Sequence, residues 1–249
     1  MSSPADVRAL SIGGAARDTL GKRATATVFA SFERSCYVET RDGIACVGGP
    51  QIGRGPLNVI VEGFEVPSIG ERVSIELGST AVWRPRTYLF TGKVPNIEIP
   101  ASIEKPARSF LAWLRGECTS PDELIGLGPG LTPSGDDFVG GALIALRATG
   151  HVELADCVAA WALRLAEHRT SRISRAHLAC AAAGEGHEAL HNLLFALGRG
   201  NTVIDRALSE LAGVGHSSGL DAAAGALLAL DAVWRPDGGL QTAQVLRGE

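Results

Sequence analysis

Two segments far apart in this chain constrain its fold more than anything else in it. Ser134-Gly-Asp-Asp-Phe-Val-Gly-Gly-Ala-Leu-Ile-Ala-Leu and Ser218-Gly-Leu-Asp-Ala-Ala-Ala-Gly-Ala-Leu-Leu-Ala-Leu align without gaps on the skeleton SGxDxxxGAL(I/L)AL. Each has helical propensity and is apolar or small nearly all round, so as a helix it leaves no face for water and must be enclosed on several sides. A chain carrying two of them is expected to build a helical domain around them. Ala and Leu are common enough to coincide, whereas Ser, Gly, Asp and Gly at the same offsets mark two structurally equivalent helices related by a pseudo-twofold axis. The identity does not extend visibly beyond them.

Further Ala- and Leu-rich stretches of helical length lie at 107–115, 152–168, 171–183, 187–197 and 203–212, with the paired helices themselves at 136–149 and 219–234. The first half reads differently. Between residues 24 and 99, β-branched and aromatic residues gather in short runs at 24–32, 36–40, 44–47, 57–61 and 72–77, separated by turn signals. Asp42-Gly43 falls between two runs, where access to positive φ suits a tight hairpin. Pro95, Pro100 and Pro106 discourage regular structure and set the expected boundary. The expectation is therefore an α+β protein, with a β-rich part at 1–105 and an all-helical domain at 106–249.

With 249 residues, 45% of them hydrophobic, the chain can bury a sizeable core unaided. A formal charge of −4 with mixed signs argues against a duplex-DNA binder, which needs a concentrated basic face. Five cysteines, an odd number with no CxxC pair, fit free thiols in a reducing, cytoplasmic compartment. No stretch reaches the roughly 18 apolar residues of a membrane span, and the start lacks a secretory pattern, so the chain is expected to be neither inserted nor exported.

The chemistry gathers in Gly126-Leu-Gly-Pro-Gly-Leu-Thr-Pro-Ser-Gly-Asp-Asp. Gly126, Gly128, Gly130 and Gly135 can take positive φ or approach a ligand closely, and two prolines stiffen the path between them. Leading into a helix N-terminus, with the hydroxyls of Thr132 and Ser134, such a loop has the ingredients for holding an anion. It lacks the GK(S/T) ending of a nucleoside-triphosphate loop and the glycine spacing of a dinucleotide fingerprint. The purely structural alternative is a pair of capping boxes, Ser134 with Asp137 and Ser218 with Asp221. That alternative leaves Asp136 and the extra glycines and prolines without a task. Carboxylates beside an anion need something between them. Either Mg²⁺ bridges Asp136, Asp137 and a phosphate, or the carboxylates accept hydrogen bonds from a substrate NH₂ while backbone N–H groups hold its oxygens. The second solution describes an amide- or carbamoyl-bearing substrate.

Arg169-Thr-Ser-Arg-Ile-Ser-Arg brings Arg172 and Arg175 together with Thr170 and Ser174, which share a helix face and suit carboxylate or phosphate recognition. The alternative is a solvated basic turn with a helix cap at Thr170 or Ser171. His187-Glu-Ala-Leu-His191 matches HExxH formally, but no further histidine follows at a suitable spacing, and two solvent-facing histidines on an amphipathic helix are the expected reading. Gly215-His-Ser-Ser-Gly219 matches GxSxG without the preceding strand or the downstream histidine of a nucleophile elbow, which leaves Ser217 and Ser218 for capping or ligand binding and His216 as an acid or base.

Taken together, GLGPGLTPSGDDFVGG, TSRIS and GHSSGLDAAAGALLAL resemble the signature of a bacterial family that includes the AllH-type subunit of oxamate carbamoyltransferase. The resemblance covers the order of elements over essentially the whole chain, with its specific motifs between Gly126 and Gly225. It implies one of three unlike subunits of an enzyme interconverting oxalurate plus phosphate with oxamate plus carbamoyl phosphate in allantoin breakdown, with a small anionic or carbamoyl substrate and heteromeric partners. Within it, Asp136, Asp137 and His216 are the candidates for the chemistry. Gly128, Gly130, Thr132, Ser134, Gly135, Thr170, Arg172, Ser174, Arg175, Ser217, Ser218 and Asp221 are the candidates for substrate binding, no residue is assigned to a metal, and Mg²⁺ stands as the one cofactor open to the site.

Overall fold

In the computed structural model, residues 5–85, 94–95, 97–118, 121, 123–197 and 201–233 are described. The chain forms two compact units, Met1–Pro85 and Arg86–Glu249.

The first unit is a closed mixed barrel. Its strands are β1 (Ala5–Gly13), β2 (Arg23–Ser31), β3 (Ser35–Thr40), β4 (Gly43–Gly48), β5 (Asn58–Val61), β6 (Arg72–Glu76) and β7 (Val82–Trp83), with helix α1 (Gly14–Leu20) after the first. They are ordered β5-β4-β3-β2-β6-β1-β7, and β1 closes the ring by pairing antiparallel with β5, Ile12 opposite Val59. Alternate residues point inward, so Val28, Cys36, Val38, Ala45, Val47, Val59, Val73 and Ile75 fill the interior. The runs expected at 24–32, 36–40, 44–47, 57–61 and 72–77 are β2 to β6. The Asp42-Gly43 turn joins β3 to β4, with Thr40 paired to Gly43 and the positive φ of 149° carried by the glycine. Sequence reading missed β1, α1 and β7. Ala-Asp-Val-Arg-Ala-Leu-Ser-Ile has little intrinsic strand preference, and only its pairing with β6 along its first half and β5 along its second makes it a strand.

The second unit is helical: α2 (Glu104–Leu114), α3 (Ser134–Ala148), α4 (Val152–Arg169), α5 (Arg172–Ala182), α6 (Glu188–Ala196), α7 (Asn201–Ala212) and α8 (Ser218–Val233). Val94, Ile97 and Ile99 pack against its core, and Pro106 sits inside the first turn of α2, where a missing N–H costs no intrahelical bond. Around Phe110 the aromatic rings of Trp113, Phe138 and Trp161 meet at centroid distances of 5.8, 6.0 and 5.8 Å.

α3 and α8 form the centre, as their all-apolar sequences require. On α3, Phe138, Val139, Leu143 and Leu146 have no measurable exposure, and on α8 the same holds for Ala223, Ala226, Leu227 and Ala229. The skeleton glycines explain how two helices come so close. A Cβ on Gly141 would collide with the carbonyl of Ala222, and a Cβ on Gly225 would collide with the carbonyl of Phe138. Phe138 and Ala222 occupy equivalent places in the repeat, so the two contacts are each other's image under a local twofold. Only glycine lets a helix backbone lie directly against a neighbouring carbonyl, in the manner of a Cα–H···O contact.

Candidate functional site

The N-terminal ends of α3 and α8 meet. Thr132, just before α3, places its Oγ1 3.0 Å from Oγ of Ser218, the first residue of α8. That hydroxyl in turn hydrogen-bonds the side chain of Asp137. The capping-box alternative is not what these serines do. The N-cap of α3 is Pro133, which makes no side-chain cap, and its carbonyl accepts the N–H of Asp137 at 3.1 Å. Ser134 is already helical, and Ser218 turns its hydroxyl toward Thr132.

The adjacent aspartates Asp136 and Asp137 have different environments. Asp136 is buried, 2% exposed, and its carboxylate is engaged by the chain itself. Oδ1 accepts the backbone N–H of Gly126 at 2.7 Å, while Oδ2 accepts the hydroxyl of Ser174 at 2.6 Å and that of Thr170. Thr170 and Ser174 do not share a helix face as their spacing suggested, because Thr170 is extended between α4 and α5, yet both hydroxyls reach Asp136. Ser171 caps α5, accepting the N–H of Ser174 at 3.0 Å and donating to the carbonyl of Leu131. The glycine loop is therefore tied at its start through Gly126 and near its end through Leu131. Gly126 (φ 82°) has no room for a side chain, since a Cβ would strike the carbonyl of Arg169.

Asp137 and Asp221 are the pair that the repeat makes equivalent, each in the first turn of its helix. Each has an Oδ2 that is buried and finds no hydrogen-bond partner among the described residues, and Asp221 as a residue is 3% exposed. Burial pushes Asp137 well above the usual carboxylate range, and the charges of Asp221 and Asp136 push the same way against the opposing Ser218 hydrogen bond. A carboxyl whose folded value lies above its unfolded one favours the fold fully at low pH and loses that contribution as pH rises through the folded value. Asp137→Asn should therefore raise stability at neutral pH by about 1–2 kcal/mol and leave it nearly unchanged near pH 4. Thermal melts of both proteins at the two pH values test this.

The remaining candidates are spread around these ends. Gly135 is buried, Gly128 half-buried and Gly130 exposed, the last two with φ of 122° and 88°. Arg172 and Arg175 are exposed on the first turn of α5, and His216 and Ser217 are exposed in the turn before α8. Among the described residues no three His, Cys, Asp or Glu side chains converge as a metal-binding group.

His187 and His191 correct the expectation of two solvent-facing histidines. His187 is the N-cap of α6, its Nδ1 accepting the N–H of Ala189 at 3.1 Å. His191 is buried, and its Nε2 accepts the N–H of Gly186 at 3.1 Å. α6 is an interior helix that buries Leu190, Leu193 and Leu194, so a histidine one turn in goes inside with them. Burial, helped by His187, lowers His191 to about 4, and His177 likewise to about 4. Both folded values lie below the ordinary 6.5, so their contribution is complete above pH 6.5 and is lost as pH falls toward about 4. His191 alone is expected to cost about 2–3 kcal/mol across that window. Urea titrations of wild type and His191→Gln should show a flatter acid limb in the variant.

Residues 124–230 match the family model described as oxamate carbamoyltransferase subunit AllH. Over that stretch the chain is similar to the AllH type. Neither a curated protein nor a solved structure matches it. The matched stretch lies within the helical unit and contains the glycine loop, the α5 hydroxyls and both skeleton segments. The family's description, a subunit, places AllH-type chains in assemblies with other chains. No helix among the described residues is long and apolar enough to cross a membrane.

What sequence reading missed is the division between the two adjacent aspartates. The signal was present in the repeat: Asp137 aligns with Asp221, whereas Asp136 aligns with Leu220 and so has a task specific to its own half.

Proposed function

We propose that this chain is a cytoplasmic subunit of a carbamoyltransferase-type enzyme of purine and allantoin catabolism, acting on oxamate plus carbamoyl phosphate and, in reverse, on oxalurate plus phosphate. The observation that carries the reading is the convergence, inside the family-matched stretch, of two helix N-termini and a glycine loop on one set of polar side chains. Two helix N-termini supply a positive field for a phosphate or carboxylate. The carboxyls in their first turns supply acceptors for N–H groups. Carbamoyl phosphate and oxamate each carry an anionic group and an NH₂, which is the combination such a surface recognises. In this reading Thr132, Ser134 and Ser218 contact the substrate from the loop and the α8 start, Arg172 and Arg175 draw in its anionic end, and partner subunits complete the site.

Calorimetric titration of the full chain with phosphate, carbamoyl phosphate, oxamate and oxalurate, with and without Mg²⁺ at fixed ionic strength, tests this. Saturable binding of carbamoyl phosphate or oxamate is expected, and the Mg²⁺ arm decides whether a cation takes part. Absence of binding by all four, both to the chain and to its complex with co-purified partners, would sink the reading. A second reading, in which the motifs orient partner subunits without touching substrate, is favoured by one observation: the Asp136 carboxylate is engaged entirely by its own chain.

A further inference from the structure

A buried carboxylate oxygen without a hydrogen-bond donor carries a desolvation cost that native proteins rarely tolerate without a use for it. Here there are two. Asp137 and Asp221 are equivalent by the local twofold, and each stands one helical turn before its seam glycine, Gly141 or Gly225. Both therefore lie on the faces that α3 and α8 turn toward each other. The Oδ2 atoms of both are buried and unpartnered among the described residues. The converging helix N-termini offset part of the negative charge, but all their dipoles leave the acceptors themselves unmet. Two acceptors disposed about a twofold suit a group that presents two donors symmetrically and has no lone pair to clash with them. A planar amide NH₂ is such a group.

Resting on the carbamoyltransferase reading, we propose that Asp137 and Asp221 together form the amide end of the site, each accepting one N–H of the same NH₂ group of a carboxamide or carbamoyl ligand. Ser218, held between Thr132 and Asp137, fixes the Asp137 carboxyl from the side of the glycine loop. Asp136 takes no part in this contact, because its oxygens already hold Gly126, Thr170 and Ser174.

Matched ligands in which CH₃ replaces NH₂ isolate the contact: oxamate against pyruvate, and carbamoyl phosphate against acetyl phosphate. Hydrogen bonds to charged groups predict that the full-length wild-type chain binds the NH₂ member of each pair about ten- to a hundredfold more tightly. In Asp137→Asn and in Asp221→Asn the preference should fall to within about threefold while the affinity for the methyl analogues holds, because an Asn side chain can offer an N–H where an acceptor is needed. Both variants should melt no lower than wild type, which separates a lost contact from a lost fold. Should one variant fail to fold, the other and the wild-type comparison still decide. Equal binding of NH₂ and CH₃ members by wild type overturns this inference and leaves the carbamoyltransferase reading standing. So does a preference that survives both substitutions, or one that appears only with Mg²⁺, which would put a cation between the carboxylates. Failure of all four ligands to bind, both to the chain and to its complex with co-purified partners, removes both proposals together.

Discussion

Gly225→Ala is expected to destabilise the helical unit by on the order of 4 kcal/mol, lowering its melting temperature by roughly 10 °C, and Gly141→Ala should do the same. A methyl at either position would stand inside the carbonyl of Phe138 or Ala222, and a backbone carbonyl cannot rotate away as a side chain can. The helices would have to separate along the seam, loosening Phe138, Leu143 and Leu227 from the core they share. Gly140 supplies the control on the same helix. A Cβ there meets only the Ala181 methyl, at 3.7 Å, so Gly140→Ala should be neutral or stabilise by about 0.5–1 kcal/mol through helix propensity. Calorimetric melts of the three variants decide the point. Indifference to alanine at 141 and 225 would mean that the close crossing of α3 and α8 is wrong.

Asp136→Ala should have a comparably large effect, about 3–5 kcal/mol, because it leaves a half-buried N–H, a buried hydroxyl and a half-buried hydroxyl without their acceptor. The damage should be local first. The Gly126 amide is expected to lose its hydrogen-exchange protection, and ligand binding at the loop should disappear with it. Ser174→Ala and Thr170→Val, each removing a single bond, should cost about 1–2 kcal/mol apiece. The experiment also separates two roles for the residue. Full stability with turnover abolished would make Asp136 a chemical group, whereas loss of stability, loop protection and binding together makes it a positioning residue that aims the loop.

Much of this was legible beforehand, and the reasons are specific. β2 to β6 showed as β-branched runs because a barrel strand buries alternate residues, and that alternation is written in the side chains. α3 and α8 showed because a helix enclosed on every side can carry little besides Ala, Leu and Gly. β1 did not show, because its strand character comes from β5 and β6 on either side of it. His191 was misread as a surface residue because helical spacing gives a face but does not say what covers that face; here the interior does.

The sequence by itself determined that two equivalent helices lie at the centre of an α+β chain, that glycines recur where they touch, and that hydroxyls, carboxyls and a stiffened loop cluster at their starts. Local propensity and periodicity are properties of neighbouring residues, and they survive in a linear reading. Only the tertiary structure decided how adjacent Asp136 and Asp137 divide their work. One is saturated by Gly126, Thr170 and Ser174, and the other is left facing Asp221 with an unmet oxygen. Residues next to each other on a helix point about 100° apart. What each then meets is supplied by segments distant in the chain, and no spacing rule records it.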